Sequence, residues 1–279
     1  MLKQLINNHL EKNIKDKNDV VILFSGGLDS LSILLSCLEI GIRPVLYSFY
    51  LKSHVSDDIE ASRKIASIYN LKLIEIVIND TDINQLKNDV YYIINKFHLY
   101  KKTAVQCVYP FIYIIPVIKE KYVLTGLCAD DLYGTPRSMA KYRNDFDTFN
   151  EIRENKIQDK TASAYSYIKS LVEEQGKIFI APYKEDIKLI EYFRKLNYKD
   201  MNSPKQKNIM YQDYKEEIDK YKLYRMNQNL QCGSKIREWH DNLLLTELNT
   251  KNYKVVNPIY KNIYKEIDIE NTIVYERNK

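Results

Sequence analysis

Residues 24–30 of the chain read FSGGLDS, and this heptapeptide combines residue types that can bind a phosphate group. Gly26 and Gly27 allow the backbone to turn tightly and to come close to a ligand. Ser25, Ser30 and the backbone N–H groups that open a following helix can together form an anion site. Because the apolar run VVILF leads into it, the segment predicts a phosphate-binding loop at the end of a buried strand.

Asp29 is the unusual member of this loop, because a carboxylate beside phosphates is repelled unless a cation lies between them. A Mg²⁺ ion held by Asp29 and by phosphate oxygens would remove this repulsion. The simpler alternative is a tight turn between strand and helix, in which Asp29 and Ser30 only cap the helix. The loop has neither the lysine of G-x-x-x-x-G-K-[ST] nor the spacing of G-x-G-x-x-G, so it differs from both of those phosphate loops.

A second pair of polar residues, Asp130 and Asp131, lies in the segment TGLCADDLYG, which follows the apolar residues YVL. The first half of the chain alternates between strand-like and helix-like patterns, which predicts parallel βαβ units and a doubly wound α/β sheet. We predict strands at 20–24, 43–50, 72–78 and 122–126, and helices at 31–41, 57–71, about 82–98 and 110–121. Such sheets bind ligands beyond the carboxyl ends of their strands, so both polar loops are expected to face one crevice.

The pattern changes at about residue 137, after which charged helices dominate, among them those expected at 185–196, 205–221 and 235–248. We interpret this half of the chain as a helical cap on the sheet. The predicted organisation is therefore an N-terminal helical extension (1–18), an α/β core that carries the predicted phosphate-binding loop (19–136) and a mainly helical C-terminal region packed on the core (137–279).

The bulk composition is that of a globular protein and limits the classes of function. The 279 residues are 45% hydrophobic and 28% charged, and the formal net charge of +5 is spread along the chain. No apolar run approaches the roughly 18 residues that would span a membrane, and the charged N-terminus predicts neither a signal peptide nor an anchor. We therefore expect a cytoplasmic protein with no membrane partner. The four cysteines form no CxxC pair, so neither a zinc site nor a disulfide framework is expected.

The loop SGGLDS resembles the SGGxDS signature of the PP-loop ATP pyrophosphatases, which have the adenine nucleotide alpha hydrolase-like fold. These enzymes cleave ATP between the α- and β-phosphates, usually to adenylate a substrate that a nucleophile then attacks. Two further segments resemble the asparagine synthetase family of this superfamily: VLYSFY is similar to its second strand, and TGLCADDLYG to its S-G-E-G-[AS]-D-E-[LIV]-[FY]-G motif. The likeness covers roughly residues 18–250 and concerns the synthetase domain only.

The resemblance implies ATP and Mg²⁺ as cofactors and a role for each matched position. Asp29 and Asp130 would share the metal and act in catalysis, and Ser48 and Phe49 would flank the adenine. Gly126 would also contact the nucleotide. The first loop would hold the pyrophosphate end of ATP through Ser25, Gly26, Gly27, Asp29 and Ser30.

Two positions depart from the family pattern. The glutamate that acts in the family as general base on the incoming amine is replaced by Leu127, which cannot transfer a proton. The late lysine that steadies the adenylated intermediate falls on Asn227, and its charge could come from the nearby Lys235, which we include among the catalytic residues, or from Arg237. The sequence starts Met-Leu-Lys, without the N-terminal cysteine of a glutaminase, so we expect a separate protein to supply ammonia.

These residues leave three functions open. The first is an AMP-forming amide ligase that adenylates a small carboxylate and joins it to a nitrogen nucleophile. The second is a tRNA- or nucleobase-modifying enzyme that uses the same adenylation, which the mild basicity and the thiols of Cys107 and Cys128 permit. The third is an ATP-binding protein without catalysis, which the residues at Leu127 and Asn227 favour.

Several cations near the predicted loops have two interpretations. Arg137, Lys141 and Arg143 could neutralise the leaving pyrophosphate or could form a solvated basic segment. Lys205 and Lys207 open a predicted helix, where cations are unfavourable for the helix itself, and this points to an anionic ligand. We nevertheless expect both lysines on the surface.

Overall fold

The computed structural model describes residues 1–99, 101–226 and 229–248. Its centre is a sheet of five parallel strands in the order β3-β2-β1-β4-β5. The strands are β1 (Val20–Leu23), β2 (Val45–Leu51), β3 (Leu73–Ile78), β4 (Tyr122–Leu124) and β5 (Ile178–Ile180). The doubly wound parallel α/β sheet predicted from the sequence is therefore confirmed.

Helices cover both faces of the sheet and make up most of the C-terminal half of the described chain. In chain order they are α1 (Leu2–Asn13), α2 (Leu28–Glu39), α3 (Asp57–Tyr69), α4 (Ile83–Phe97), α5 (Lys102–Val108), α6 (Phe111–Ile114), α7 (Ala129–Tyr133), α8 (Arg137–Ala140), α9 (Phe146–Gln158), α10 (Tyr165–Glu173), α11 (Pro182–Glu185), α12 (Ile187–Arg194), α13 (Tyr198–Asn202), α14 (Asn208–Asp213), α15 (Lys215–Tyr221), α16 (Leu230–Gly233) and α17 (Ile236–Leu248). None of these described helices is long and apolar enough to cross a membrane.

Strand β1 lies in the middle of the sheet, and its residues alternate between two hydrophobic cores. Val20 and Ile22 belong to one core, and Val21 and Leu23 belong to the other. Successive side chains of a strand point to opposite faces, and here helices bury both faces. This explains why the strand reads as a continuous apolar run rather than as an alternating one.

The strand order reverses next to β1. The chain runs from β1 outward to β2 and β3, and then returns to the other side of β1 with β4. Val21 pairs with Val45 of β2 and with Val123 of β4. The loops that follow β1 and β4 therefore leave the same edge of the sheet at neighbouring positions, and this is where open α/β sheets bind ligands.

The sheet extends beyond the predicted 19–136 core, because β5 comes from the later region and pairs with β4. β5 has three residues and is not among the strands predicted from the sequence. Helix α1 packs against α2, α12 and α14, and its Leu2, Ile6 and Leu10 are fully buried. The division into three regions stays a prediction, but the first and the last region both contribute to the sheet or to its core.

Two segments that the sequence predicts as continuous helices are interrupted. The 110–121 segment forms α6 and then a 3₁₀ turn that contains Pro116, whose ring and missing N–H disfavour the interior of an α-helix. The 205–221 segment becomes helical only at Asn208 and is divided into α14 and α15 at Tyr214. Lys207 therefore precedes the helix rather than lying within it.

His240 of α17 makes the folded state sensitive to acid. Its side chain is fully buried, with its ring 5.0 Å from that of Tyr109, and the neighbouring Lys102 pairs with Asp241. Burial, and then the charge of Lys102, lower the pKa of His240 to about 3. Because this pKa is about 6.5 in the unfolded chain, the stability contribution is complete above pH 6.5 and is lost as the pH falls towards 3.

We therefore expect the free energy of unfolding to fall by about 2 kcal/mol between pH 6.5 and pH 5 through this residue alone. Urea unfolding at both pH values, in the unchanged chain and in the His240→Phe variant, measures this contribution. The variant lacks the titrating group, so its loss over the same interval should be smaller by that amount. Equal losses in the two proteins would contradict the prediction.

Candidate functional site

The loop after β1 has the compact geometry that its glycines and serines allow. Gly26 has a φ of +67°, and a Cβ at this position would lie 2.7 Å from the Cβ of Ala61. The backbone N–H of Ser25 donates to Ser30 Oγ at 3.3 Å, and Ser30 Oγ donates to the carbonyl of Gly27 at 3.1 Å. Glycine is therefore required at position 26 both by the backbone angle and by the close approach of α3.

Helix α2 begins directly after this loop, and no side chain caps its N-terminus. Asp29 accepts hydrogen bonds from Lys207 instead, and Ser30 bonds within the loop. The simpler interpretation of Asp29 and Ser30 as helix caps is therefore wrong. The N–H groups of the first turn, together with the positive end of the helix dipole, are directed at the loop and suit an anion.

The loops after β1 and β4 lie in direct contact at Gly126. A Cβ at this position would lie 2.6 Å from the carbonyl carbon of Asp29 and 2.7 Å from its oxygen. These are backbone atoms, so no side-chain rotation could relieve the contact. Gly126 therefore determines how closely the two loops approach each other.

The Gly126→Ala substitution is expected to lower the free energy of unfolding by about 1–3 kcal/mol, the usual cost of an extra carbon in a filled site. It should also weaken ATP binding, because relief of the clash displaces the phosphate loop. Urea unfolding and a titration with ATP measure the two effects. Gly41→Ala is the control, since a Cβ there meets no atom within 4 Å and only its φ of +78° is unfavourable. Unchanged ATP affinity in the Gly126→Ala variant would contradict this prediction.

Asp29 of the first loop and Asp130 of the second are joined by the side chain of Lys207. The Nζ atom of Lys207 lies 2.7 Å from each carboxylate oxygen of Asp29 and 2.7 Å from Oδ1 of Asp130. The Lys207 side chain is 7% exposed, whereas that of Asp130 is 51% exposed. The two carboxylates therefore share one cation position beside the loop after β1.

Burial and charge act in opposite directions on these three groups. Burial raises the pKa of Asp29 to about 6. The charge of Asp130 also raises this pKa, whereas the charge of Lys207 lowers it. Burial would lower the pKa of Lys207, but the charges of the two aspartates outweigh it and hold this pKa above its usual value. Burial would also raise the pKa of Asp130, yet Lys207 and a hydrogen bond from Thr135 hold it below its usual value. At neutral pH the site therefore contains an ammonium group between two carboxylates.

Asn202 connects Lys207 to the helix that carries Asp130. Its Oδ1 accepts the backbone N–H of Lys207 at 2.9 Å, and its Nδ2 donates to the carbonyl of Tyr133 at 2.9 Å. Tyr133 is the last residue of α7, in which Asp130 lies. The position of the ammonium group is therefore set by α7 and α13, and not only by the flexible lysine chain.

The expectation that Lys207 lies on the surface is wrong, because its side chain is buried between the two loops. The signal that could have found it was its charge ahead of a helix start, where a cation needs an anionic partner. Lys205 has a different environment. Its Nζ lies 3.1 Å from the ring centre of Tyr211 and 4.5 Å from that of Tyr224, and cation–π attraction explains this arrangement.

Arg225 is a second cation that the sequence did not identify. Its Nη1 donates to the carbonyl of Ser25 at 3.3 Å, and its Nη2 donates to Oδ1 of Asp58 at 2.7 Å. Asp58 lies in the first turn of α3. Arg225 therefore connects the loop after β1 to α3.

The two loops border a crevice of about 370 Å³, which is within the size range of small-molecule sites. Gly26 and Gly27 complete the turn of the first loop. The predicted site residues that line the crevice are Ser25, Asp29, Ser30, Ser48, Phe49, Gly126 and Asp130. A wider groove of about 630 Å³ runs along α10, but none of these residues lines it. The crevice at the strand ends is therefore the candidate site.

Lys235 lies apart from this arrangement. It is exposed ahead of α17, and among the described residues it does not line the crevice, although the adjacent Ser234 does. Asn227, the other position at which the sequence departs from the family pattern, lies outside the described residues. Three further cations, which the sequence suggested as partners of the leaving pyrophosphate, are exposed and are not among the described residues that line the crevice. They are Arg137, Lys141 and Arg143.

The turn of the second loop contains Leu127 and Cys128, and both line the crevice. Cys128 has a φ of +68°, and its Sγ lies 3.8 Å from the carbonyl oxygen of Ala162. Cys107 lies 2.8 Å from Nε2 of Gln231, and burial raises the pKa of its thiol to about 12. Burial therefore favours the protonated thiol of Cys107, and a thiol is a weaker nucleophile than a thiolate.

The donors of this site suit a magnesium ion that arrives with phosphate. Mg²⁺ usually takes one or two carboxylates from the protein and completes its shell with phosphate oxygens and water. Asp29 and Asp130 supply two neighbouring carboxylates, and in this structure both contact the ammonium group of Lys207, so a metal would share them with the lysine or displace it. Among the described residues there is no group of three His, Cys, Asp or Glu side chains that could hold a metal by itself.

A parallel sheet with a glycine-containing loop after its central strand and two neighbouring aspartates is the arrangement expected of the PP-loop class. The model of the asparagine synthase family matches residues 1–250, and the chain belongs to this family. The predicted family is thereby confirmed. Membership implies an ATP-using enzyme of the pyrophosphatase type, and such enzymes usually act with Mg²⁺.

One solved structure that is similar to this chain is a predicted subunit of tRNA methyltransferase from Methanocaldococcus jannaschii DSM. The two share 17% sequence identity, and the match covers 76% of this chain and 94% of that chain with a TM-score of 0.36. A likeness of this size carries no information on function. No curated protein sequence matches the chain.

Proposed function

We propose that this chain binds ATP with Mg²⁺ in the crevice, adenylates a small carboxylate with release of pyrophosphate, and passes the acyl group to a nitrogen nucleophile to form an amide. The observation that supports this most is the convergence of Asp29, Asp130 and Lys207 beside the loop after β1. Two carboxylates that can hold a metal, together with an ammonium group, provide the charge neutralisation that a leaving pyrophosphate needs.

In this proposal the first loop holds the pyrophosphate end of ATP, through Ser25, Gly26, Gly27 and Ser30. Asp29 and Asp130 hold the metal, which when bound supplies positive charge to the phosphate oxygens. Lys207, which is already beside both carboxylates, adds a second positive charge.

The adenosine part of ATP would contact Ser48, Phe49 and Gly126, which line the crevice on the side of β2 and β4. Lys235 stays a proposed catalytic cation. Its exposed position ahead of α17 supports that role less than the buried position of Lys207 does.

A second candidate, an ATP-binding protein without ligase activity, is favoured by Leu127, which lines the crevice at the position of the family's general base. Adenylation does not depend on that base, since positioning and charge neutralisation account for most of its catalysis. The amide step does require a nucleophile that arrives unprotonated. Ammonia delivered by a separate protein would meet this requirement, and so would an amine of a nucleobase or a tRNA.

Exchange of pyrophosphate into ATP, measured with a panel of carboxylates and with RNA, tests the proposal. Exchange that requires a small carboxylate and is abolished by Asp29→Ala is the expected result. Exchange that occurs only with RNA would indicate a nucleic-acid-modifying enzyme instead. Tight ATP binding without exchange in any reaction would contradict the ligase and support the second candidate.

A further inference from the structure

Arg225 contacts the backbone of the loop after β1. Its Nη1 donates to the carbonyl oxygen of Ser25 at 3.3 Å, while its Nη2 donates to Oδ1 of Asp58 at 2.7 Å. A guanidinium group is planar and its N–H donors have fixed relative directions, so one arginine can bind both acceptors at once. Asp58 therefore fixes the orientation of the group that holds the Ser25 carbonyl.

This contact also fixes the direction of the next N–H group in the loop. The peptide bond between Ser25 and Gly26 is trans, and the carbonyl and the N–H of a planar trans peptide point in opposite directions. With the Ser25 carbonyl turned towards Arg225, the N–H of Gly26 is turned away from it. Glycine has wide conformational freedom, so this peptide could rotate at little steric cost if no outside group held it. Arg225 selects one of its orientations.

The chain segment that carries Arg225 is anchored beside Lys207. The hydroxyl of Tyr224 donates to the carbonyl of Gln206 at 2.9 Å, and Lys207 is the next residue. Lys207 in turn binds both carboxylate oxygens of Asp29. Two connected cations therefore contact the loop after β1, Arg225 where the loop leaves the strand and Lys207 where it enters α2.

Orientation, rather than charge, is the main contribution that we expect from Arg225. The carboxylate of Asp58 at 2.7 Å compensates its positive charge, and both side chains are partly exposed to water. Water and the carboxylate together weaken the field of the guanidinium group at the loop. The hydrogen bond to the Ser25 carbonyl keeps its dependence on direction in the same surroundings. Arg225 is therefore better suited to orient the loop than to attract phosphate.

We infer that Arg225 is a positioning residue for the nucleotide and that it acts through the peptide group between Ser25 and Gly26. The inference rests on the proposed function, in which this loop holds the pyrophosphate end of ATP. The orientation that Arg225 fixes presents the N–H of Gly26 to a phosphate oxygen, beside the N–H groups that open α2. Without Arg225 the peptide is free to rotate, and binding then includes the cost of ordering it.

Equilibrium binding tests this role without any chemical step. The chain is titrated calorimetrically, with Mg²⁺ present, with an ATP analogue that cannot be cleaved and with AMP, which lacks the pyrophosphate end. Arg225→Met should weaken binding of the analogue by about tenfold, as for the loss of one directed hydrogen bond, and binding of AMP by less than about twofold. Unchanged binding of the analogue, or equal losses for both ligands, would overturn the inference.

Arg43→Met is the matched control for this substitution. Arg43 is exposed and also donates to backbone carbonyls, those of Tyr69 and Asn70, at the C-terminal end of α3. Its replacement removes the same type of side chain and the same type of contact at a distance from the crevice lining. The control variant should bind the analogue and AMP as the unchanged chain does.

Two further variants separate orientation from charge. Arg225→Lys keeps the positive charge, but a single ammonium group does not reproduce the two fixed donor directions. Asp58→Asn removes the compensating carboxylate, which strengthens the field of Arg225 at the loop and loosens its orientation. A role through orientation predicts weaker binding of the analogue in both variants, by about threefold or more. Unchanged or tighter binding in either variant would indicate a role through charge and would overturn the inference.

Pyrophosphate exchange adds a kinetic measurement. Arg225→Met should raise the KM for ATP by about tenfold and lower kcat by less than about threefold, because ATP at saturation itself holds the peptide in place. A fall in kcat without a rise in KM would contradict a positioning role. Weaker analogue binding in a chain that shows no exchange at all would contradict the ligase, while the role of Arg225 in nucleotide binding would stand.

Hydrogen exchange in the ligand-free chain gives a result even if no nucleotide binds. Arg225→Met should make the amides of residues 24–30 exchange about tenfold faster, since the loop opens locally more often, whereas Arg43→Met should not. Equal exchange of this segment in the two variants would overturn the inference. Failure of the unchanged chain to bind the analogue would contradict the proposed function, and exchange of the segment would still decide whether Arg225 holds the loop.

Discussion

Replacing Lys207 by methionine is expected to destabilise the magnesium-free protein by about 3 kcal/mol, the lower end of the range for a broken buried ion pair. Methionine keeps much of the apolar stem but removes the ammonium group that lies 2.7 Å from the carboxylates of Asp29 and Asp130. The loss is at the lower end because the Asp130 side chain is 51% exposed and remains partly hydrated. Urea unfolding in the presence of a chelator measures this loss.

Magnesium should recover part of that stability in the same variant, since the two carboxylates can then share the metal instead of the ammonium group. Lys215→Met is the matched control, because the Lys215–Asp219 pair is exposed and should contribute no more than about 1 kcal/mol. Stability of the Lys207→Met variant equal to that of the control would contradict the role given to Lys207. The variant should also lose about 100-fold or more in pyrophosphate exchange, because one of the positive charges beside the phosphates is gone.

The Asp29→Asn substitution is expected to lower pyrophosphate exchange by about 100- to 1,000-fold, the range observed when one preorganised electrostatic contact is removed. Asparagine has nearly the same shape as aspartate, so the loop after β1 should keep its geometry. What is lost is a negative charge that would hold the metal and that now orients Lys207 through two bonds of 2.7 Å. Exchange rates at saturating ATP, together with a titration of Mg²⁺, separate a loss of metal binding from a loss of catalysis.

The Asp29→Asn variant should also be less stable than the unchanged chain, because it removes one partner of the buried ion pair with Lys207, so urea unfolding must first show that it is folded under the assay conditions. Asp147→Asn is the control, since this residue lies in the exposed first turn of α9, away from the crevice lining. Exchange by Asp29→Asn within a few-fold of the unchanged chain would show that the metal is held elsewhere.

The loop after β1 and the sheet that presents it could be predicted from the sequence, because the interactions that form them are local. An apolar strand, two glycines and a helix start follow one another within FSGGLDS and its neighbours. Parallel strands end at the same edge of a sheet, so the loops that carry Asp29 and Asp130 had to meet once the βαβ pattern was recognised. The helices at 110–121 and 205–221 were less predictable, because Pro116 and the turn at Tyr214 interrupt otherwise helical patterns.

The cation between the two aspartates could not be predicted in this way. Lys207 and Asp29 are 178 residues apart, and the energy that justifies burial of a lysine exists only when both carboxylates and the Asn202 bridge are in place. Lys235, the same residue type, is exposed ahead of α17. The sequence by itself therefore determined the loop after β1, the positions of the two aspartates and the parallel sheet, whose patterns are local or follow from strand order. Only the packing of α7, α13 and α14 decided which lysine lies between the two aspartates. Charge pairing between residues that are far apart in the chain produces no periodic pattern in the sequence.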